Sequence, residues 1–138
     1  MKVNTFPKLC NVCGGKVEFV PLTSVYGKNF KSDRGERFCS GYCYRCKDCG
    51  ALVGTHKSNP REALGLLATP HMRELRVRNH AMFDKFWKDR SQRTKYYKKL
   101  ANEMGIPFEE CHFAWFTEEE LEKSYQIMLR WWREKYDI

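Results

Sequence analysis

The feature that most constrains the fold of this chain is a short cysteine motif that occurs twice within the first 50 residues. Each copy has two cysteines separated by two residues and followed by a glycine: Cys10-Asn-Val-Cys13-Gly14-Gly15 and Cys46-Lys-Asp-Cys49-Gly50. A C-x-x-C turn places two thiolates on one side of an ion, and the glycine permits a positive φ that turns backbone N–H groups toward the sulfurs. Because zinc takes four ligands at tetrahedral corners, the two motifs together predict one structural zinc ion bound by Cys10, Cys13, Cys46 and Cys49.

Three further side chains leave the exact ligand set open at this point. Cys43-Tyr-Arg-Cys46 is also a C-x-x-C pair, so a shifted register or a second ion fits the spacing. Cys39 and Cys43 lack the following glycine, and we interpret them as small buried residues of a strand. His56, seven residues after Cys49, is a further alternative. With four thiolate ligands no position is left for water, so we expect a structural ion rather than a catalytic one.

The use of cysteine also bears on the cellular compartment. The chain has no run of 18 apolar residues, and residues 1–10 lack the apolar stretch of a secretory signal peptide. The cytosol keeps thiols reduced, and clustered cysteines there usually bind metal. We therefore expect a cytoplasmic protein that makes no membrane contact. The oligomeric state is not predicted by any of these features.

The charge of the chain is unevenly distributed. The formal net charge is +8. Lys and Arg outnumber Asp and Glu by 10 to 4 in residues 1–59 and by 11 to 4 in residues 60–100, whereas acidic residues prevail by 9 to 4 in residues 101–138. One explanation of this asymmetry is that the basic part of the chain binds a polyanion and the acidic part binds a different partner. The other is that the charges serve only solubility and internal ion pairing.

The first part of the chain, residues 1–59, has the pattern of short strands separated by turns. Residues 16–20 and 37–45 have the alternation of β-strands, and a polar stretch with two glycines lies between them. Asn59-Pro60 then interrupts the pattern. We therefore predict an N-terminal zinc-ribbon domain that ends at residue 59.

The second part, residues 60–138, has the spacing of helices. Thr69-Pro70 predicts a helix start, with a helix running to about Asp89 and a shorter helix before it near residues 61–67. Ser91 is predicted to cap the next helix, which Gly105 ends. A capping box at Thr117-Glu-Glu-Glu120 begins the last helix. Its apolar stripe is predicted to contain Leu121, Tyr125, Met128, Leu129, Trp132 and Tyr136. The predicted class is α+β, with short antiparallel β-hairpins of a zinc ribbon packed on a C-terminal bundle of three to four helices.

A series of short motifs extends from the second cysteine pair to about residue 116. They are Cys46-x-x-Cys49-Gly-Ala-x-Val53-Gly54-x-His56, Leu64-Gly65-x-Leu-Ala68, Arg76-x-x-x-His80-x-x-Phe83-Asp84-x-x-Trp87, Arg93-x-x-x-Tyr97-x-x-Leu100-Ala101 and Cys111-His112. With the first cysteine pair, this series resembles small zinc-finger-containing proteins encoded by bacteriophages and prophages. The resemblance implies a phage origin and a bound metal but no particular reaction. Cys39 and Cys43 depart from the pattern of that family.

Two pairs of residues are candidates for catalysis. His80 and Asp84 lie four residues apart on one predicted helix and so face the same way, where they could share a proton or a metal. Cys111 beside His112 suggests a thiol nucleophile. We favour a structural interpretation of both pairs, because adjacent side chains in a turn usually point apart and because a metal-dependent nuclease would need more clustered carboxylates. We therefore expect a protein without catalytic activity, with such a nuclease as the less favoured alternative.

Basic residues interleaved with aromatic residues suggest that DNA or RNA is the partner, since cations neutralise phosphates and rings stack on bases. The residues predicted to contact nucleic acid are Arg34, Arg37, Arg45, Lys47, Lys95, Lys98 and Lys99. The alternative is a regulatory phage protein that binds and inhibits or redirects a host polymerase, nuclease or defence complex. For that alternative, Trp131 is the predicted contact, because it lies off the main apolar stripe of the last helix and would be an exposed anchor.

Overall fold

The computed structural model describes residues 3–27 and 41–137. Contacts divide the chain into two compact units, the ribbon unit Val3–Pro70 and the helical unit that begins at His71. The division therefore falls after residue 70, whereas the sequence pattern placed it after residue 59. The expected architecture, a short antiparallel sheet followed by helices, is confirmed.

The ribbon unit contains a three-stranded antiparallel sheet in the order β1-β2-β3. Its strands are β1 (Val17–Pro21), β2 (Tyr42–Cys46) and β3 (Leu52–Gly54), and a five-residue helix α1 (Leu22–Tyr26) follows β1. The predicted strand at residues 16–20 matches β1. Only the end of the strand predicted at residues 37–45 can be compared with β2, because residues 28–40 lie outside the described part. The three residues of β3 are too few to show a periodic pattern.

Alternation along the strands places one face of the sheet over a small core. Val17 lies opposite Cys46 and Phe19 lies opposite Tyr44, so these four side chains share that face. They pack with the other members of the core, which are Cys10, Ala51, Val53, Ala63 and Leu67. A core of this size rarely stabilises a fold by itself, and a bound metal commonly supplies the difference.

The segment of residues 60–70 belongs to the ribbon because its backbone pairs with the sheet. Leu52 and Ala68 exchange two backbone hydrogen bonds of 3.0 and 2.8 Å, and Thr55 forms a bridge with Ala63. The Tyr44 hydroxyl also donates to the carbonyl oxygen of Arg61 at 2.5 Å. The helix predicted near residues 61–67 is therefore wrong, because the N–H and C=O groups of this segment are used in pairing with the strands.

The helical unit contains three long helices, α2 (Pro70–Phe83), α3 (Arg90–Met104) and α4 (Glu118–Tyr136). Helix α2 begins at the predicted proline but ends six residues before Asp89, in a turn closed by a hydrogen bond from Phe86 N–H to the Phe83 carbonyl. Two short 3-10 helices, Phe108–Glu110 and Phe113–Trp115, connect α3 to α4. Within the described residues no helix is long and apolar enough to cross a membrane.

The ends of α3 and α4 show how local sequence positions these helices. Asp89 caps α3 by accepting a hydrogen bond from the Gln92 N–H, so the predicted cap at Ser91 is two residues too late. Gly105 ends α3 in the left-handed conformation with φ 72°, as predicted. The capping box of α4 between Thr117 and Glu120 is also confirmed, with both reciprocal hydrogen bonds present.

The last helix contradicts the prediction for Trp131. This side chain is only 4% exposed, its ring packs edge-on against Phe86 at 5.5 Å, and its Nε1–H donates to Glu103. The buried positions of α4 are Leu121, Ser124, Met128 and Trp131. The buried stripe is rotated relative to the predicted one and includes the polar Ser124, whose hydroxyl accepts a hydrogen bond from the Asn79 side chain at 2.7 Å. Trp131 is therefore a core residue and is not an exposed anchor for a partner.

Candidate metal centre

The four predicted cysteines converge at one point of the ribbon unit. Their sulfurs all lie within 4.8 Å of one another. Cys10 Sγ is 3.7 Å from Cys49 Sγ, and Cys13 Sγ is 3.4 Å from Cys46 Sγ. Sulfurs bound to one tetrahedral zinc at about 2.3 Å are separated by about 3.8 Å. The four side chains therefore form a zinc site, and the separations of these two pairs are close to those that zinc requires.

Each cysteine pair lies in a turn with the same backbone hydrogen bonds. In the first turn the Gly14 N–H donates to the Cys10 carbonyl at 2.8 Å, and in the second the Gly50 N–H donates to the Cys46 carbonyl at 3.1 Å. The two glycines have nearly equal positive φ values, 80° and 78°. Residues with a Cβ rarely adopt this conformation, so the glycine of each motif is required by the turn that aims the sulfurs.

Backbone N–H groups also point at the sulfurs. The N–H of Val12 lies 3.3 Å from Cys10 Sγ, and the N–H of Gly15 lies 3.4 Å from Cys13 Sγ. In the second turn the N–H of Cys49 donates to Cys46 Sγ at 3.5 Å, and this contact is the main cause that lowers the pKa of Cys46 to about 7. Such contacts favour the thiolate, which is the form that binds metal.

Cys49 shows why four thiolates this close need a cation. A backbone contact with Ala51 lowers its pKa, but loss of hydration around the sulfur and hydrogen bonds with the thiols of Cys13, Cys10 and Cys46 outweigh that contact and raise the pKa to about 12. Negative charges on neighbouring sulfurs disfavour one another. A zinc ion placed among them removes this penalty because it stabilises every thiolate at once.

The two cysteines of each turn differ in exposure. Cys10 and Cys46 are buried, whereas Cys13 and Cys49 are exposed. The first cysteine of each motif therefore connects the metal to the core, and the second closes the site on the solvent side. Four thiolates leave no open coordination position for water or substrate, so this centre has the ligand set of a structural zinc site.

Two of the three alternative ligands are described, and both lie outside the cluster of four cysteines. Cys43 is buried and lies on the strand face opposite that of Cys46, since the two are three positions apart along β2. Burial is the main cause that raises the pKa of Cys43. His56 Nε2 lies 3.8 Å from a carboxylate oxygen of Glu62. Neither belongs to the cluster of potential ligands. Cys39 falls outside the described residues.

The predicted nucleic-acid residues of the ribbon are only partly described. Arg34 and Arg37 lie in the undescribed segment. Arg45 donates through Nε and Nη2 to Glu18 Oε1 at 2.8 and 2.6 Å, and Lys47 Nζ lies 3.9 Å from the other oxygen of Glu18. The sequence pattern did not point to Glu18, which is the cross-strand neighbour of Arg45. Both described cations of this set therefore lie beside a carboxylate.

The predicted residues of the helical unit lie on α3. Lys95 and Lys98 are exposed and line a groove together with Ser91 and Thr94. Lys99 lies on another side of the helix, with its ammonium 4.7 Å from the centroid of the Trp131 ring. The structure thus keeps Lys95 and Lys98 together and separates Lys99 from them.

The predicted catalytic candidates occupy ordinary packing positions. The His80 ring contacts the edge of Phe113 at 4.8 Å, and its pKa is lowered mainly by burial, while Asp84 opposes that shift. Cys111 is buried, which raises its pKa to about 12, whereas His112 is exposed and its ring lies 4.7 Å from that of Trp115. A thiol with such a pKa is a poor nucleophile near neutral pH.

Two glycine-ended cysteine turns that meet beside a short antiparallel sheet define a zinc-ribbon protein. A family model described as a zinc-finger-containing domain matches residues 6–131, and the chain belongs to this family. The match includes the zinc site, α2, α3 and most of α4. Searches among curated proteins and among solved structures each gave no significant match.

Proposed function

We propose that this zinc-ribbon protein binds nucleic acid through the exposed basic surface of α3 and does so without catalysing a reaction. The observation that carries the proposal is a pair of grooves along the first turns of α3, which share Thr94 and which we call the α3 grooves. The residues that line them are Trp87, Lys88, Asp89, Arg90, Ser91, Arg93, Thr94, Lys95 and Lys98. Five of these carry a positive charge and one carries a negative charge.

The positive charges of the α3 grooves have no carboxylate partner among the described residues. In that part of the chain, no Asp or Glu lies within ion-pair distance of the five cations. The single acid, Asp89, accepts the capping hydrogen bond from Gln92 N–H. Clustered cations of this kind attract a polyanion, and binding to nucleic acid is driven largely by the release of its counterions.

The ribbon is a weaker candidate for the surface that binds nucleic acid. Its described candidates, Arg45 and Lys47, share Glu18, so their local charge is partly compensated. This half-buried pairing reduces the positive potential that a phosphate would meet. We therefore place the main phosphate contacts on α3, with Arg45 in a structural role.

The absence of catalysis is supported by the chemistry of two sites. The zinc site has four thiolate ligands and no open position. The buried thiol of Cys111, with its raised pKa, is unsuited to nucleophilic attack. Origin in a bacteriophage and inhibition of a host protein stay predictions. The predicted contact residue for a host protein, Trp131, is buried and cannot serve as an exposed contact.

The test is a salt titration of binding to labelled DNA and RNA by fluorescence anisotropy. The double variant Lys95→Ala/Lys98→Ala should bind more weakly, and the slope of log affinity against log salt should fall by about 0.7–0.9 for each phosphate that the variant no longer neutralises. The matched control is Lys57→Ala/Lys135→Ala, which removes two exposed lysines outside the α3 grooves. Equal weakening by both variants, or no binding to any nucleic acid at low salt, would contradict the proposal.

A further inference from the structure

An aromatic ring lies near each end of the α3 grooves. Trp87 lines the groove at the start of α3. Phe108 lies outside the lining but next to Lys98, whose Nζ is over the ring at 5.6 Å from its centroid. We infer that the occupant of this surface is a single strand of nucleic acid, with bases stacked on Trp87 and Phe108 and phosphates on the cations between them. This inference rests on the proposed function of α3.

Phe108 is the more exposed of the two rings. It is 43% exposed, although the other phenylalanines of the connecting segment, Phe113 and Phe116, are almost fully buried. It begins a short 3-10 helix directly after Pro107, whose φ is −62°. The ring is thus presented by a constrained turn, and a base that stacks on it would bring its phosphate close to Lys98. Exposed Glu109 in the same turn disfavours a phosphate on the far side of Phe108.

The indole of Trp87 is held in a fixed orientation. Its Nε1–H donates to Asp84 Oδ1 at 3.0 Å, and the guanidinium of Arg93 lies 5.8 Å from the centroid of the ring. The side chain remains partly exposed. A ring fixed in advance loses little conformational entropy when a ligand stacks on it, and the neighbouring cation provides a phosphate contact.

The distance between the two ends suits a short stretch of one strand. Arg90 to Lys98 spans about 12 Å along a helix that rises 1.5 Å per residue. A strand in duplex geometry carries one phosphate per about 3.4 Å of helix axis, and a single strand can be more extended, so the α3 grooves are long enough for at most three or four phosphates. Stacking on protein rings requires base faces that are free, and in a duplex these faces are covered by the neighbouring pairs. The two terminal rings therefore favour a single strand over a duplex.

The test compares labelled poly(dT) with a labelled duplex, each titrated with the intact zinc-loaded protein. Phe108→Leu should weaken binding of poly(dT) by about tenfold, the loss expected for one stacked base, and should leave duplex binding and the salt slope unchanged. Phe108→Tyr, which keeps the ring, should bind like the unmodified protein. Tyr136→Leu is the matched control, since it removes another exposed ring at the end of α4.

Three outcomes separate this inference from the proposed function. Preference for poly(dT) that Phe108→Leu alone reduces supports the inference. Equal binding of single strand and duplex, with no effect of Phe108→Leu, overturns the inference and leaves the proposed function standing if Lys95→Ala/Lys98→Ala still weakens binding. No binding of either nucleic acid overturns both. Quenching of tryptophan fluorescence by poly(dT) provides a second measurement, and Trp87→Phe should reduce it.

Discussion

The ribbon unit and the helical unit are stabilised by different means. The ribbon has a short three-stranded sheet and a small core in which one tyrosine and several small aliphatic residues surround two metal-binding cysteines. The helical unit has a larger apolar core whose fully buried members include Phe83, Phe113, Phe116, Leu121 and Met128, and its helices have well-formed caps. The difference indicates that zinc supplies stability to the ribbon unit, which is too small to bury enough apolar surface by itself.

The zinc site and the surface that we propose for binding lie in different units of the chain. The four thiolates hold the ribbon together and leave no coordination position for a ligand. The helical unit folds around its aromatic core and still presents the α3 grooves to solvent. The signature that is easiest to find in the sequence is therefore structural, and the surface to which we assign binding lies outside it.

The largest expected effect comes from removal of a zinc ligand. Cys46→Ser should lose the zinc and unfold the ribbon, because structural zinc contributes about 10–16 kcal/mol in small fingers. Zinc content by mass spectrometry should fall from one ion per chain to none. Cys43→Ser is the matched control, since that cysteine is equally buried in the same strand but lies outside the cluster. Loss of zinc from Cys43→Ser with retention by Cys46→Ser would contradict the assigned ligands.

A core substitution in the helical unit should destabilise the helices and leave zinc binding intact, which is the opposite of the result expected for Cys46→Ser. Phe113 is almost fully buried and its ring contacts those of Phe83, Tyr97 and Phe116. Phe113→Ala should destabilise this unit by about 3–5 kcal/mol, as measured by loss of near-ultraviolet circular dichroism at lower denaturant concentration. The zinc content should stay at one ion per chain. Release of zinc together with the loss of helical structure would show that the two units do not fold separately.

The smallest effect expected concerns the glycine of the second cysteine turn. Gly50 has φ 78° and open space where a Cβ would lie, so Gly50→Ala should cost about 1–2 kcal/mol from backbone strain alone. That cost should appear as easier removal of zinc by a chelator. Gly54→Ala is the matched control in β3, because its Cβ would make an ordinary contact of 3.6 Å with Leu64. Equal chelator sensitivity of the two variants would argue against a role for positive φ in shaping the site.

The zinc site was predictable because its signal is local and duplicated. Each C-x-x-C-Gly motif specifies its own turn, and the structure needs only to bring the two turns together. The capping box at Thr117 and the stop at Gly105 were predictable for the same reason, since both depend on neighbours within a few residues. Asp89 and Ser91 are both good cap residues, and local sequence did not distinguish them.

The wrong predictions concern residues whose structure depends on partners elsewhere in the sequence. Residues 61–67 do not form the predicted helix, because Leu52 and Thr55 supply backbone partners to this segment and its neighbour Ala68 that no local pattern shows. Trp131 is buried because its ring packs against Phe86 and its Nε1–H donates to Glu103, both of which are remote in the sequence. Arg45 is paired with Glu18 because the register of β1 and β2 places them opposite each other. Each of these contacts joins residues far apart in sequence.

The most direct test of the central claim is hydrogen exchange, read by mass spectrometry for separate segments before and after zinc is removed by a chelator. We expect amides of β1, β2 and β3 to lose their protection when zinc is removed, whereas amides of α3 and α4 should keep theirs. Restoration of zinc should restore the protection of the strands. Protection of the strands that persists without zinc, or simultaneous loss of protection in both units, would contradict the claim that zinc stabilises the ribbon while the helices depend on their own core.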